Sequence, residues 1–169
     1  CPANITTCNP LVTYSATASD NCTGASISCS PVSGSTFAAG LTTVNCTATD
    51  ASSNTGSCSF SVDVQTISTA ASSATSNALY GQICIGGNLT LTANGGSLGT
   101  GASWVWYEGG CGTGASIGSG SPLTITSPSA GNHTYYVRAE EACGVTLCKS
   151  VSINVITVFP PNILNILSA

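Results

Sequence analysis

Short runs in which apolar and polar residues alternate are the main pattern along the chain, and each run predicts a strand with one buried face. The clearest runs cover residues 89–93, 123–126 and 151–155. Clusters of Gly, Ser, Asn and Cys, such as residues 94–97 and 109–112, separate strand-like runs and predict turns. No stretch has a convincing helical period. The pattern therefore predicts an all-β protein of short strands, which is typical of β-sandwiches.

A run of Ser, Thr and Ala divides the chain into two strand-rich halves with different cysteine spacings. A chain of 169 residues is long enough for two small domains. We expect a first sandwich over residues 1–65, a linker over residues 66–77 and a second sandwich over residues 78–156. Residues 157–169 form an apolar C-terminal segment, which is either a linker to a following domain or a strand donated to another subunit.

The alternation also predicts which side chains face each core. In the second half, Trp104 and Trp106 share one face of a strand, and a buried Trp at such a position packs the centre of a β-sandwich. Tyr135, Val137 and Ala139 should face the same core. In the first half, the predicted inward positions fall on three strands: Ile27 and Cys29; Val44, Cys46 and Ala48; and Cys58, Phe60, Val62 and Val64.

The amino-acid composition argues against binding to nucleic acid and against association with a membrane. Charged residues make up 5% of the chain, the net charge is −4, and Arg138 and Lys149 are its only strong cations. Binding to nucleic acid or to an anionic membrane surface needs several cations, so neither is expected. No apolar run reaches the length of a membrane-spanning helix, so membrane insertion is not expected either.

The chain contains ten cysteines and one histidine, and no two cysteines have the Cys-x-x-Cys spacing typical of zinc sites. An even number of cysteines without metal spacing predicts five disulfides formed in an oxidising compartment. We therefore expect a secreted protein, extracellular or at the cell surface, that is stapled by disulfides and binds no metal.

Residues 1–64 contain, in order, CPANI, SDNC, SGSTF and TTVNCTATDASSNTGSCSFSVDV. This set resembles the hyalin repeat (HYR) domain over nearly the whole first half. The resemblance implies an immunoglobulin-like sandwich that occurs as tandem modules in extracellular and cell-surface proteins. It also implies a role in adhesion and brings no catalytic residues.

The second half carries LTLTANGGSLGTGASWVWYEGGCGTG and HTYYVRAEEACG. These stretches resemble the immunoglobulin-like modules of large secreted surface proteins in gliding bacteria and their relatives, which are exported by the type IX route. The resemblance implies a second immunoglobulin-like sandwich in a bacterial adhesin.

The sandwich arrangement predicts disulfide partners from strand neighbours and strand ends. We expect the pairs Cys22–Cys58, Cys29–Cys46, Cys84–Cys111 and Cys143–Cys148. Cys1 and Cys8 remain, and seven extended residues would span ~23 Å, whereas bridged Cα atoms lie within ~7 Å. Either the chain between them curls, or these two cysteines bond elsewhere.

The candidate chemical sites are few. His133 is the only histidine that could activate a nucleophile, and its Gly-Asn-His-Thr context predicts a solvated turn residue. Glu140 and Glu141 are adjacent, so they point to opposite faces of a strand, and a solvated strand end is the expected role. Oxygens of Asp20, Asp50 and Asn54 could hold calcium, although loop capping is favoured. We therefore expect no catalytic residues, no cofactor and no enzyme activity.

The C-terminal segment supplies the most specific hypothesis about function. Ile163, Leu164, Ile166 and Leu167 would be exposed in a monomer, and exposed apolar patches mark interaction sites. We expect a structural or adhesive segment of a surface fibre or filament, whose copies associate head to tail with one another or with neighbouring repeat domains. The alternative is a pair of ligand- or glycan-binding modules in a cell-surface adhesin, with surface glycans as partners.

Overall fold

The computed structural model describes residues 1–21, 24–114 and 116–157. The chain divides into two compact units between Ile67 and Ser68. Strands and turns make up the secondary structure of the described residues, without a helix, and the predicted all-β class is confirmed. In the same part of the chain, there is accordingly no helix with the length and apolar character needed to cross a membrane.

The first unit is a small sandwich with one main sheet. That sheet has the strand order β1-β6-β5-β3, in which β1 runs parallel to β6 and the other neighbours are antiparallel. Strands β2 and β4 form a separate two-stranded sheet. The strand bounds are β1 Ile5–Thr7, β2 Leu11–Val12, β3 Ser26–Ser30, β4 Ser35–Thr36, β5 Gly40–Thr49 and β6 Thr55–Val64.

The core of the first unit follows the predicted faces of β5 and β6. Val44 lies opposite Phe60 and Cys46 lies opposite Cys58, so these side chains point to one side of the sheet. Ala48 and Cys58 share that face but stay accessible towards the end of the hairpin. The buried hydrophobic residues of this core are Val12, Phe37, Val44, Cys46, Phe60, Val62 and Val64.

The second unit is a two-sheet sandwich. One sheet has the order β11-β10-β13-β15-β8, with β14 paired to β13, and the other has the order β12-β9-β7. Strand β8 runs parallel to β15, whereas β13 is antiparallel to both β10 and β15. The strand bounds are β7 Ser73–Ser76, β8 Gln82–Cys84, β9 Asn88–Asn94, β10 Ser103–Glu108, β11 Ser116–Ser119, β12 Leu123–Thr126, β13 Gly131–Glu141, β14 Gly144–Val145 and β15 Lys149–Ile156.

Trp106 lies at the centre of the second core, where its side chain is 0% exposed. Its indole Nε1–H donates a hydrogen bond of 2.9 Å to the Gly120 carbonyl, which satisfies the one polar group that burial would otherwise leave unpaired. Trp104 is buried on the same face, as predicted. The inward positions of β13 are also confirmed, since Tyr135, Val137 and Ala139 are buried.

The predicted linker over residues 66–77 is wrong from Ser68 onwards, because Ser68 begins the second compact unit. Residues 73–76 form strand β7, which pairs with β9 so that Ala74 lies opposite Ala93, and Ala71 is buried in the second core. A short run of small residues suggests a linker because it offers little apolar surface to bury. In the structure, backbone pairing with β9 holds β7 in its sheet, and the side chains of Ala71 and Ala74 pack in the second core.

Several sequence-based expectations fall on residues that the structure does not describe. These are Cys22 and the C-terminal segment from residue 158, which includes the four assembly residues Ile163, Leu164, Ile166 and Leu167. The expectations about the C-terminal segment remain predictions, whereas the predicted partner of Cys22 is tested below through Cys58.

Candidate functional site

Disulfides tie together the strands of the first unit. Cys29 bonds to Cys46, which lies directly opposite it on β5, as the sequence predicts. Cys58 bonds to Cys1, with Cα atoms 5.8 Å apart, so the predicted Cys22–Cys58 pair is wrong. Cys8 is also disulfide-bonded.

The parallel pairing of β1 with β6 explains the Cys1–Cys58 bond. Ile5 lies opposite Val62. Cys1 precedes Ile5 by four residues, and Cys58 precedes Val62 by four, so the same register brings the two cysteines together. The two alternatives were that the chain between Cys1 and Cys8 curls or that these cysteines bond elsewhere, and for Cys1 the second is correct.

The predicted disulfides of the second unit, Cys84–Cys111 and Cys143–Cys148, are both wrong because Cys111 bonds to Cys148. Cys84 lies opposite Ile156, at the last residue of β15, whereas Cys148 precedes the first residue of that strand. The eight residues of β15 separate these two places by roughly 26 Å. Cys84 is a free thiol, so the expectation that all ten cysteines are oxidised is also wrong.

His133 lies in strand β13, and its side chain is only 12% exposed, which corrects the prediction of a solvated turn residue. Its Nδ1 lies 2.5 Å from Glu108 Oε1 and its Nε2 lies 2.8 Å from the Ser129 carbonyl oxygen. Both partners accept hydrogen bonds, so a doubly protonated ring satisfies both. The Glu108 carboxylate, opposed by burial and assisted by the Ser129 carbonyl, raises the pKa of His133 above its ordinary value.

The raised pKa of His133 makes the stability of the second unit depend on pH. Protonated His133 stabilises the folded state, so this contribution is complete below the unfolded pKa of about 6.5 and is lost as pH rises through the folded pKa. We expect the midpoint temperature of thermal unfolding to decrease as the pH is raised from about 6 to about 8. The decrease should be smaller in His133→Gln and in Glu108→Gln. Circular dichroism at several pH values measures this. An equal pH slope in all three proteins would contradict the assignment.

Glu140 and Glu141 are both bonded to protein groups, which corrects the prediction of a solvated strand end. Glu140 accepts hydrogen bonds from the hydroxyl of Tyr107 and from Arg138 Nε–H, the latter at 2.7 Å. These two bonds, with that from Tyr107 the larger influence, lower the pKa of Glu140. Glu141 accepts hydrogen bonds of 2.7 and 2.8 Å from the backbone N–H and the hydroxyl of Ser68. The two carboxylates therefore hold the fold and do not face one another.

Asp50 caps the turn between β5 and β6, as the sequence analysis favoured. One of its carboxylate oxygens accepts hydrogen bonds from the backbone N–H groups of Ser52 and Asn54, and the other accepts one from the Asn54 side-chain amide. These bonds, led by the one from the Asn54 side chain, lower the pKa of Asp50. Among the described residues, no cluster of three or more metal-ligating His, Cys, Asp or Glu side chains occurs.

An open groove of about 390 Å³ lies beside β3, and we call it the β3 groove. Among the described residues, strand β3 is an edge of the main sheet of the first unit and pairs on one side only. The apolar side chains of Ile27 and Cys29 are only partly buried there. The residues that line the groove are Tyr14, Ser15, Ala16, Ile27, Ser28, Cys29, Val32 and Ser33.

Hydrogen bonds hold in place the wall of the β3 groove that Tyr14 and Ser33 form. The Tyr14 hydroxyl donates to the Pro31 carbonyl, and the Tyr14 backbone N–H donates to Ser33 Oγ at 2.8 Å. The Ser33 hydroxyl donates in turn to the Tyr14 carbonyl at 2.7 Å. Within the part of the chain that the structure describes, no strand pairs across the groove, so these bonds fix the wall and leave the groove open along the edge of β3.

Sequence reasoning missed the β3 groove, the Glu108 partner of His133 and an exposed tyrosine, Tyr80. The groove forms where segments that are far apart in the sequence come together, and no local sequence pattern indicates such an arrangement. The only sequence signal for Tyr80 was its position before Gly81, which is typical of a turn.

Two known domain families match the chain, one in each of its two units. Residues 3–64 match the HYR domain, and residues 70–160 match the Ig-like domain CHU_C associated. A search among curated proteins found no match.

Several solved structures are similar to the chain at low sequence identity. The fibronectin(III)-like modules of Clostridium thermocellum CbhA are 17% identical, with a TM-score of 0.39, and the alignment covers 75% of this chain and 66% of theirs. Murine CEACAM1b is 15% identical, with a TM-score of 0.44 and coverages of 70% and 59%. Dpr2 Ig1-Ig2 in complex with DIP-Theta Ig1-Ig3 gives 21% identity, a TM-score of 0.40 and coverages of 71% and 41%. The chain therefore spans less than two thirds of the length of these structures.

The match to the Ig-like domain covers more than half of the 169 residues, and the HYR match covers almost all of the first unit. Both matches agree in order and extent with the two sandwiches described above. The chain belongs to the CHU_C-associated Ig-like domain family through residues 70–160, and it carries a HYR domain ahead of that module.

Proposed function

We propose that this chain is a structural and adhesive segment of an extracellular surface fibre, and that its copies associate head to tail through the C-terminal segment. HYR and Ig-like modules that follow one another in a chain are typical of adhesion proteins. The disulfides support an oxidising, extracellular location. Catalysis is not part of the proposal, because His133, Glu108, Glu140 and Glu141 are each engaged in structural bonds.

The β3 groove is the observation that carries head-to-tail assembly. It combines the free edge of a strand with partly buried apolar side chains on the sheet face next to that edge, and both are what an added strand needs. We assign it to the C-terminal segment of a second copy. That segment, if extended, would place Leu164 and Ile166 on one face and Ile163 and Leu167 on the other.

The energetics favour a fibre over an isolated pair. Burying two large aliphatic side chains contributes about 3–6 kcal/mol before the cost of ordering the strand, which is itself several kcal/mol. One donated strand thus gives modest affinity, and further contacts along the fibre add to it. Because the donor and the acceptor are different surfaces, the contact is heterologous, and it extends into a filament when the rotation between successive copies does not close into a ring.

Four proteins test the proposal: the intact chain, a chain that ends at Thr157, Val32→Lys and Leu41→Lys. Val32 lines the groove and is 63% exposed, whereas Leu41 lies outside it on β5 and is 72% exposed. We expect the intact chain and Leu41→Lys to form large assemblies in sedimentation velocity at high concentration. The truncated chain and Val32→Lys should stay folded and sediment as monomers.

Three outcomes contradict the proposal in different ways. If the intact chain is monomeric at high concentration, self-association is wrong. If the truncated chain assembles like the intact one, the C-terminal segment is not the donor. Assembly of Val32→Lys to the same extent as Leu41→Lys would place the acceptor elsewhere than the β3 groove.

A further inference from the structure

The outer face of strands β13 and β15 carries pairs of uncharged polar side chains. Asn132 lies opposite Asn154, and Thr134 lies opposite Ser152. Because the alternate residues of both strands, among them Tyr135 and Ile153, are buried in the core, these four side chains point away from it. They line an open depression of about 370 Å³, together with Tyr80, Gly81, His133 and Ile153.

Tyr80 stands at the rim of this depression, where its side chain is 94% exposed. It occupies the tip of a tight turn in which the Gln82 N–H donates to the Leu79 carbonyl at 2.9 Å. The Asn154 N–H donates to the Gly81 carbonyl at 2.8 Å, and this bond fastens the turn to β15 beside the paired asparagines. The aromatic ring is therefore held next to the polar side chains without being packed against the core.

The backbone of Tyr80 is in the left-handed region, with φ of 50°, followed by Gly81 with φ of 74°. Two successive positive φ values suit Asn, Asp or Gly in a tight hairpin turn, whereas the Cβ of a tyrosine strains this conformation. Asn at position 80 would fit the turn better. A strained, exposed aromatic residue that contributes nothing to the core indicates that its ring has another use.

The hydrogen-bonding groups in the depression are available to a ligand. Within the described residues, the side-chain amides of Asn132 and Asn154 have no protein partner, and each offers donors and an acceptor. The hydroxyls of Thr134 and Ser152 lie 3.0 Å apart, which leaves lone pairs on both oxygens. His133 contributes no free nitrogen, because both of its ring nitrogens are bonded to Glu108 and Ser129.

We infer that this depression binds a neutral oligosaccharide, with one sugar ring stacked on Tyr80 and its hydroxyls bonded to Asn132 and Asn154. A sugar ring has an apolar C–H face that suits the negative face of an aromatic ring. Its hydroxyls donate and accept, as the two amides do. An anionic ligand would need a cation, and none of the described residues that line the depression carries one with a free N–H. This binding site goes beyond the proposed assembly and does not use the β3 groove.

Substitutions at Tyr80 separate a binding role from a structural one. Tyr80→Asn removes the ring and relieves the backbone strain, Tyr80→Phe keeps the ring, and Leu79→Ala is a neighbouring control that alters another exposed side chain. The probes are the neutral hexasaccharides of cellulose, chitin, xylan and starch, with a hexamer of galacturonic acid as the anionic comparison. Each is titrated at millimolar concentration by calorimetry against the intact chain, at protein concentrations below those at which it assembles.

We expect at least one neutral hexasaccharide to bind the intact chain, and Tyr80→Asn to weaken that binding about tenfold or more. The midpoint of urea unfolding of Tyr80→Asn should be unchanged or higher, which a structural role for Tyr80 would not produce. Tyr80→Phe and Leu79→Ala should bind within a few fold of that parent. The inference is overturned if no neutral probe binds, if the galacturonate hexamer binds most tightly, or if Tyr80→Asn binds as the parent does.

Discussion

Replacing Trp106 with Ala should destabilise the second unit by about 3–5 kcal/mol, which is a large part of the stability of a small domain. Trp106 is fully buried between the two sheets, among residues that include Leu89, Leu91 and Tyr135. The substitution leaves a cavity that the disulfide-linked sheet cannot fully close. It also leaves the Gly120 carbonyl without the indole N–H that it accepts in the folded protein.

Urea unfolding measures this loss, and the second unit has its own probe. Both tryptophans of the chain, Trp104 and Trp106, lie in that unit, so the remaining Trp104 reports on it by fluorescence in the variant. Tyr80→Ala is the matched control, because Tyr80 is an exposed aromatic residue, and its change in unfolding free energy should stay within about 0.5 kcal/mol. A loss of less than about 1 kcal/mol for Trp106→Ala would contradict the central position of this residue.

Removing the Cys29–Cys46 disulfide by a double substitution to Ala should have a comparable effect on the first unit. The bond closes a loop between residues 17 apart in sequence, and bridges of this size contribute about 3 kcal/mol. The bond also joins the edge strand β3 to β5, and Cys46 is itself part of the buried core. Its loss should loosen the wall of the β3 groove.

Hydrogen exchange resolved by peptide measures the effect on the first unit alone. We expect amides of β5 and β6 that open only by global unfolding to exchange about a hundredfold faster in Cys29→Ala/Cys46→Ala. Cys84→Ala is the control, since Cys84 is the free thiol and lies in the second unit. Unchanged exchange in β5 and β6, or an equal change in Cys84→Ala, would show that the bond does not stabilise this unit.

The local features of this fold follow from the sequence because a strand's buried face has a period of two residues. That pattern identified β9, β12 and β15, the inward pair Trp104 and Trp106, and the core side of β13. It also identified the Cys29–Cys46 bond, because those two cysteines are both inward residues on strands that are neighbours in such a sandwich. Each of these features depends on side chains that lie close together on one strand or on adjacent strands.

The features that sequence reasoning missed depend on pairings between distant segments. The bond from Cys1 to Cys58 follows from the parallel pairing of β1 with β6, and the isolation of Cys84 follows from the parallel pairing of β8 with β15. An edge strand as short as β1 has too few residues for a periodic pattern, so the sequence does not indicate which strand it pairs with. Tyr80 was missed for a related reason, because its exposure and its backbone conformation arise from one turn bonded to β15.

Electron microscopy of the purified chain tests the central claim most directly, since the claim is that this chain forms filaments by itself. The intact chain and a chain that ends at Thr157 are compared at the same high concentration, in negative stain and without other proteins. We expect continuous filaments from the intact chain and isolated particles from the truncated one. Isolated particles in both samples, or filaments in both, would contradict assembly through the C-terminal segment.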